Sequence, residues 1–151
     1  MTWFEDIEVG QETDIGSYEV TREEVLEFAR KYDPQPFHLS DEAAAKTYFG
    51  RLSASGWHTC AMTMAVIARH SARQKRAVLG SPGVDELRWL KPVYPGDTLY
   101  PMLEISALTP QRSTGVATLA TTVHNQKGEL VLTGEQKILL RRRGGAVSDP
   151  R

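Results

Sequence analysis

The sequence predicts an α+β domain, an antiparallel sheet wrapped around one long central helix. Three observations predict it. Residues 56–73 carry Trp57, Cys60, Ala61, Met62, Met64, Ala65, Val66, Ile67 and Ala68 and leave almost no polar face. A helix that is apolar all round belongs in the middle of a core. After about residue 77 the period changes to two: Leu99, Leu103, Ile105 and Ala107 alternate with Tyr100, Glu104 and Ser106, and Ala117, Leu119, Thr121 and Val123 repeat the alternation. The joints read as tight turns, so consecutive strands run antiparallel and the simplest packing folds them over the helix.

The elements follow in order. Residues 12–20 suit a first strand. Thr21 opens a helix, because Thr21-Arg22-Glu23-Glu24 fits a capping box, and Val25, Phe28, Ala29 and Tyr32 follow at helical spacing. Pro34 ends that helix by pushing Asp33 out of the α region. Ser40 caps a short second helix from Asp41 to about Lys46, whose acidic first turn suits the helix dipole. Arg69, His70 and Arg73 place positive charge at the end of the long helix, as the dipole prefers. Tyr94-Pro95-Gly96-Asp97 suits a type II turn, and Gln126-Lys127-Gly128 a hairpin loop. Residues 129–140 form the last strand. Pro101 lacks an amide hydrogen, so its strand must be at an edge or bulged there.

Composition narrows the function. The chain has 151 residues, a size typical of one domain, with 40% apolar and 25% charged residues and a formal net charge of −1. It offers no basic field to draw nucleic acid or an acidic membrane. Arg141-Arg142-Arg143 beside Gly144-Gly145 reads as a solvated tail. Cys60 is the single cysteine, which excludes an intrachain disulfide and a cysteine metal cluster. The first residues are acidic where a leader would be basic. A cytoplasmic protein is the expectation, without metal and without cofactor.

Two segments carry chemistry. Asp33-Pro34-Gln35-Pro36-Phe37-His38 joins two helices and is stiffened by two prolines. A curved loop brings Asp33 and His38 on to one small volume, where an Asp and a His around one water act as acid and base near neutral pH. By spacing alone the alternative stays open: Asp33 caps a turn and His38 bonds the backbone. Ser53-Ala54-Ser55-Gly56 precedes the long helix. Its small residues allow close approach of a ligand, and the unpartnered Gly56 amide at the helix start would polarise a carbonyl oxygen. The other reading of Gly56 is chain direction alone. His58 reads as a core or interface residue; His70 and His124 stand isolated.

The segment Asp33 to His38, followed by Ser40-Asp41-Glu42-Ala43-Ala44, resembles the signature of the MaoC-like dehydratases, the (R)-specific enoyl-CoA hydratases. Phe49-Gly50-Arg51-Leu52-Ser53-Ala54-Ser55-Gly56 is similar to that family's lead-in to its long helix. Lys91-Pro92-Val93-Tyr94-Pro95-Gly96-Asp97-Thr98-Leu99 resembles its strand turn, and Leu132-Thr133-Gly134-Glu135 its final strand. The resemblance covers about residues 5–140.

It implies a hotdog domain over 1–143 with a flexible tail over 144–151, working as a homodimer or dimer of dimers. The implied activity is syn addition of water to enoyl-CoA, or its removal from 3-hydroxyacyl-CoA, within fatty acid metabolism. The carrier would be coenzyme A or an acyl carrier protein. Asp33 and His38 would be the catalytic dyad, and Gly56 would hold the thioester carbonyl. Gln35 stands where many members have Asn, Ser55 where many have His, and Met64 where many have an active-site Ser. Gln35, Ser55, Trp57 and Met64 are therefore the candidate pocket residues, and Trp57 and Met64 would shorten an acyl channel. Two alternatives remain: a hotdog thioesterase, and a non-catalytic acyl-CoA-binding subunit. Arg88, Lys91 and Arg112 are phosphate candidates only as exposed charges.

Overall fold

The computed structural model describes residues 1–145. The tail expected from residue 144 therefore lies, beyond Gly145, outside the described residues. Among the described residues are three α-helices: α1 (Arg22–Tyr32), α2 (Asp41–Ala45) and α3 (Gly56–Arg73). Six strands are present: β1 (Gly10–Glu12), β2 (Tyr18–Glu19), β3 (Val78–Trp89), β4 (Thr98–Pro110), β5 (Thr114–His124) and β6 (Leu130–Arg141). The sheet runs β1-β4-β5-β6-β3 with antiparallel neighbours, and β2 joins β4 beside β1. Helix α3 lies on its inner face. Val66 and Ile67 pack with Leu103, Ile105 and Leu119; Met62 packs with Leu99, Val123 and Val131. This is the hotdog arrangement, and it brings the start of α3 to the β2 end of the sheet.

Several local expectations need correction. Residues 12–20 are not one strand. Only the two ends pair with β4, because Asp14 (φ 56°) and Gly16 (φ 129°) turn the chain between them and drop Ile15 into the core. The capping box at Thr21 is half formed. Thr21 Oγ1 accepts from the Glu24 amide at 3.3 Å, but the Glu24 carboxylate accepts from Tyr18 Oη at 2.6 Å and does not reach back. Tyr32 is exposed.

The alternation of β4 slips at Ser106, where a bulge turns Ala107 outward and Leu108 towards the core. Pro101 is buried, yet it falls between the β2 and β1 pairings, so its flank of β4 is locally an edge. The sequence reading did not single out β3, since Gly80, Pro82 and Gly83 hide its period and register shifts interrupt its pairing with β6. Gly96 (φ 95°) and Gly128 (φ 75°) sit at the two expected turns.

The arginine run is not a free tail. Arg141 ends β6, Arg142 Nε donates to Glu5 at 2.8 Å, and Arg143 reaches Asp6 at 2.6 Å. The Arg142 side chain and the Arg143 amide, both donating to Glu5, hold its carboxyl pKa down at about 2. The sheet leaves one face of α3 uncovered. Trp57, Ala61, Met64 and Ala68 form an exposed stripe along it, with Trp57 60% and Met64 41% exposed. None of the described helices is long and apolar enough to cross a membrane.

Candidate active site

Asp33 is the residue at which α1 stops. Its amide still bonds Ala29 O, but φ −152° and ψ 68° turn the chain into the proline-rich link. Pro36 then starts a single 3-10 turn, Pro36–His38, that swings His38 back under Asp33. The two side chains meet with Asp33 Oδ2 3.5 Å from His38 Nε2, and they are 18% and 6% exposed. That separation is too long for a strong direct bond and leaves both atoms able to share one water.

The other ring nitrogen is committed. His38 Nδ1 lies 2.8 Å from Ser53 O, and a carbonyl can only accept, so Nδ1 carries the hydrogen. In the neutral ring Nε2 is then the basic nitrogen, and it faces Asp33. Phe37 and Phe49 pack against the ring and fix its plane.

Asp33 is held as a carboxylate. Burial works against the charge, but three groups outweigh it: Gln35 Nε2 donates to Oδ1 at 2.6 Å, Ser55 Oγ donates to Oδ2 at 2.7 Å, and His38 adds its field. The Asp33 pKa accordingly sits below the ordinary value. Both readings of the loop left open by spacing are partly realised. Asp33 does end a helix and His38 does bond the backbone, yet these same contacts aim Asp33 Oδ2 and His38 Nε2 at each other.

Gly56 is the first residue of α3 and shares with His38 the wall of a cavity of about 360 Å³. Phe49, Ala54, Leu90, Val93 and Val131 make that cavity mostly apolar. Neither expectation for Gly56 is complete. Its φ is not positive, so chain direction does not demand glycine. The indole of Trp89 packs against it: Trp89 Nε1 donates to Gly56 O at 2.9 Å, and a Cβ there would stand 2.6 Å from the ring. Trp89 closes one side of the cavity. The sequence reading missed it because β3 itself was not recognised.

The remaining candidates divide. Gln35 and Ser55 both serve the Asp33 carboxylate and do not line the cavity. Trp57 and Met64 line a separate apolar hollow of about 240 Å³ with Cys60, Thr63 and Leu87. The Trp57 and Trp89 rings meet edge to face at 5.0 Å. His58 is buried as expected and stacks on Phe28 at 4.7 Å, though its Nδ1 has no partner, and burial lowers its pKa. His70 is not isolated: it meets Glu12 at 2.8 Å, beside Arg76, and ties α3 to β1. Arg88 pairs with Glu86, and Lys91 with Glu129.

The family model described as "MaoC like domain" matches residues 6–127. The chain is 35% identical to a 3-hydroxybutyryl-CoA dehydratase of Methylorubrum extorquens, over 88% of this chain and 80% of that one. It is 27% identical to an (R)-specific enoyl-CoA hydratase of Aeromonas caviae, over 90% and 97%. A solved MaoC-like dehydratase from Rhodospirillum rubrum superposes with a TM-score of 0.80 at 35% identity, covering 93% of this chain and 97% of that chain.

Proposed function

We propose, from the premise that this chain belongs to the MaoC-like domain family, that it adds water to a trans-2-enoyl-CoA and removes it from the 3-hydroxyacyl thioester. One observation carries the reading: two acceptors, the half-buried Asp33 Oδ2 and the buried His38 Nε2, stand 3.5 Å apart, and His38 opens on to an apolar cavity. They hold one water by both hydrogens, and its oxygen attacks C3. His38 Nε2 takes the proton, because its Nδ1 is already bound to Ser53 O. The Asp33 carboxylate steadies the imidazolium that results. The same proton returns from Nε2 to C2 on the same face, so hydroxyl and hydrogen add syn.

Negative charge gathers on the thioester oxygen as the water attacks. The Gly56 amide points from the first turn of α3, where helix amides lack partners, and would carry that charge. A preorganised donor of this kind supplies roughly 3–4 kcal/mol of transition-state stabilisation. Trp89 limits the room beside Gly56, so short acyl groups suit the cavity. A second copy of the chain covers the exposed stripe of α3 in this reading, making a homodimer or a dimer of dimers.

The test is turnover across enoyl-CoA chain lengths, followed by loss of the enoyl absorbance with free thiol measured alongside. Crotonyl-CoA should lose its double bond faster than decenoyl-CoA, without thiol release. Thiol appearing at the same rate would mean a thioesterase, and binding without either change would mean a non-catalytic subunit.

A further inference from the structure

We propose that Asp41 is a positioning residue for His38, setting the register of the segment Leu52-Ser53-Ala54-Ser55 on which both Asp33 and His38 are anchored. This role rests on the hydration reading and adds to it a residue outside the cavity. The segment is neither helix nor strand, yet it is buried, with Ala54 at 6% its most exposed residue. Ser53 O holds His38 Nδ1 at 2.8 Å, and Ser55 Oγ donates to Asp33 Oδ2 at 2.7 Å. A slip of the segment would move both anchors together. Without a helix or a ladder of its own, it keeps its place through the few groups its backbone bonds.

One of those groups is Asp41. Its Oδ1 accepts from the Leu52 amide at 2.9 Å. Asp41 follows His38 by three residues, and Leu52 directly precedes Ser53. The two bonds therefore close a ring: along the chain from His38 to Asp41, across to Leu52, on to Ser53 and back to His38 Nδ1. One short stretch thus grips two neighbouring residues, the first by its amide and the second by its carbonyl. On the other side the Ala54 amide donates to Val93 O at 2.7 Å, and Trp89 Nε1 donates to Gly56 O. Val93 and Trp89 tie the segment towards β3 and the turn that follows it, and Asp41 ties it to the loop that carries His38.

The ordinary duties of an acidic residue in a first helical turn do not account for this arrangement. Such a residue serves the helix dipole or a cap. In α2 the cap is made by Ser40, whose Oγ accepts from the Ala43 amide at 3.1 Å. Asp41 Oδ2 meets Arg22 Nη2 at 2.7 Å, but the two side chains are 53% and 54% exposed, and an open ion pair contributes little. The Arg22 guanidinium and the Leu52 amide hold the Asp41 carboxyl below its ordinary value, so both oxygens stay acceptors at neutral pH. What the ring needs is one acceptor at Oδ1, which asparagine also supplies, without charge.

The test compares Asp41→Asn with Asp41→Ala in hydration of crotonyl-CoA. Both lose the charge and the Arg22 pair; only alanine loses the acceptor. Asp41→Ala should lower kcat about tenfold, as a displaced catalytic group does, with KM within about twofold of wild type. Asp41→Asn should keep kcat within about threefold. Replacing the Leu52 amide by an ester removes the same donor and leaves every side chain in place. It should lower kcat by the same factor, and Asp41→Ala added to it should cost nothing more. The second readout is the nitrogen NMR shifts of the neutral His38 ring, assigned by their loss in His38→Gln. Nδ1 should carry the hydrogen in wild type and Asp41→Asn, and both tautomers should coexist in Asp41→Ala and in the ester. Equal kcat losses in Asp41→Asn and Asp41→Ala would assign the effect to charge and overturn the proposal. An unchanged kcat or a single His38 tautomer in Asp41→Ala or in the ester overturns it too. If the wild-type chain hydrates nothing, the hydration reading fails, and the ring spectrum still decides whether Asp41 positions His38.

Discussion

Ser55 donates its hydroxyl to Asp33 Oδ2 at 2.7 Å, and in doing so leaves its own helix without a side-chain cap. A serine directly before a helix normally turns inward to cap it. Here the hydroxyl crosses to a residue 22 positions earlier. The helix gives up a local bond, and the carboxylate that faces His38 gains a fixed orientation.

Ser55→Ala is expected to raise the Asp33 pKa towards its ordinary value, since one of the bonds that lowers it is removed. A lowered folded-state pKa contributes stability above the unfolded value and loses it as pH falls through the folded one. The stability lost in Ser55→Ala should therefore be present at pH 7 and shrink below the reference value of 3.8. At neutral pH kcat/KM should fall about tenfold, since hydrogen bonds to a charged group are worth about 1.5–3 kcal/mol. The acid limb of its pH profile should move to higher pH. Denaturation at pH 7 and pH 3, with one pH–rate curve, checks both; an unmoved acid limb would separate Ser55 from the reaction.

Asp33→Asn and His38→Gln should each lower hydration by about 10²–10⁴-fold while leaving the fold intact. Both act on one water, so the double variant should be little worse than either single one. If Asp33 only ended α1, Asn would serve nearly as well. Activity within about threefold of wild type in a folded Asp33→Asn protein would remove it from the mechanism.

Gly56→Ala separates two reasons for glycine. Were helix propensity decisive, alanine would stabilise the chain by about 1 kcal/mol. The new Cβ would instead stand 2.6 Å from the Trp89 ring and push out the indole bonded to Gly56 O. A loss of about 1–3 kcal/mol is expected, as for other overpacked sites. Thermal unfolding of Gly56→Ala, and of the same change with Trp89→Ala, distinguishes them: the penalty should fall when the ring is absent.

The chain should sediment as a dimer or a multiple of it. Trp57 and Met64 are largely exposed on α3, and β3 is an unpaired edge bearing Val78, Leu79 and Val84 in the open. An exposed strand edge beside an apolar stripe favours a self-complementary contact. A mass near the 16.8 kDa of one chain at micromolar concentration would count against it. Met64→Glu should lower the assembly state before it lowers helix content.

The sequence by itself determined what is local. The spacing of apolar residues set α3 at Gly56–Arg73, alternation marked β4 and β5, a run rich in Val, Leu, Ile and Thr marked β6, and Pro34 and Ser40 bounded the loop that carries Asp33 and His38. Period, caps and prolines act over a few residues, so they can be read one after another. Tertiary structure decided everything that joins distant residues. It chose which nitrogen of His38 is basic, through Ser53 O; it sent Ser55 to Asp33; and it laid Trp89 on Gly56. It also made β3 a strand despite Gly80, Pro82 and Gly83, because β6 supplied the partner groups that its own pattern does not announce. Each such contact depends on where the sheet places two segments far apart in the chain, and no local period encodes that.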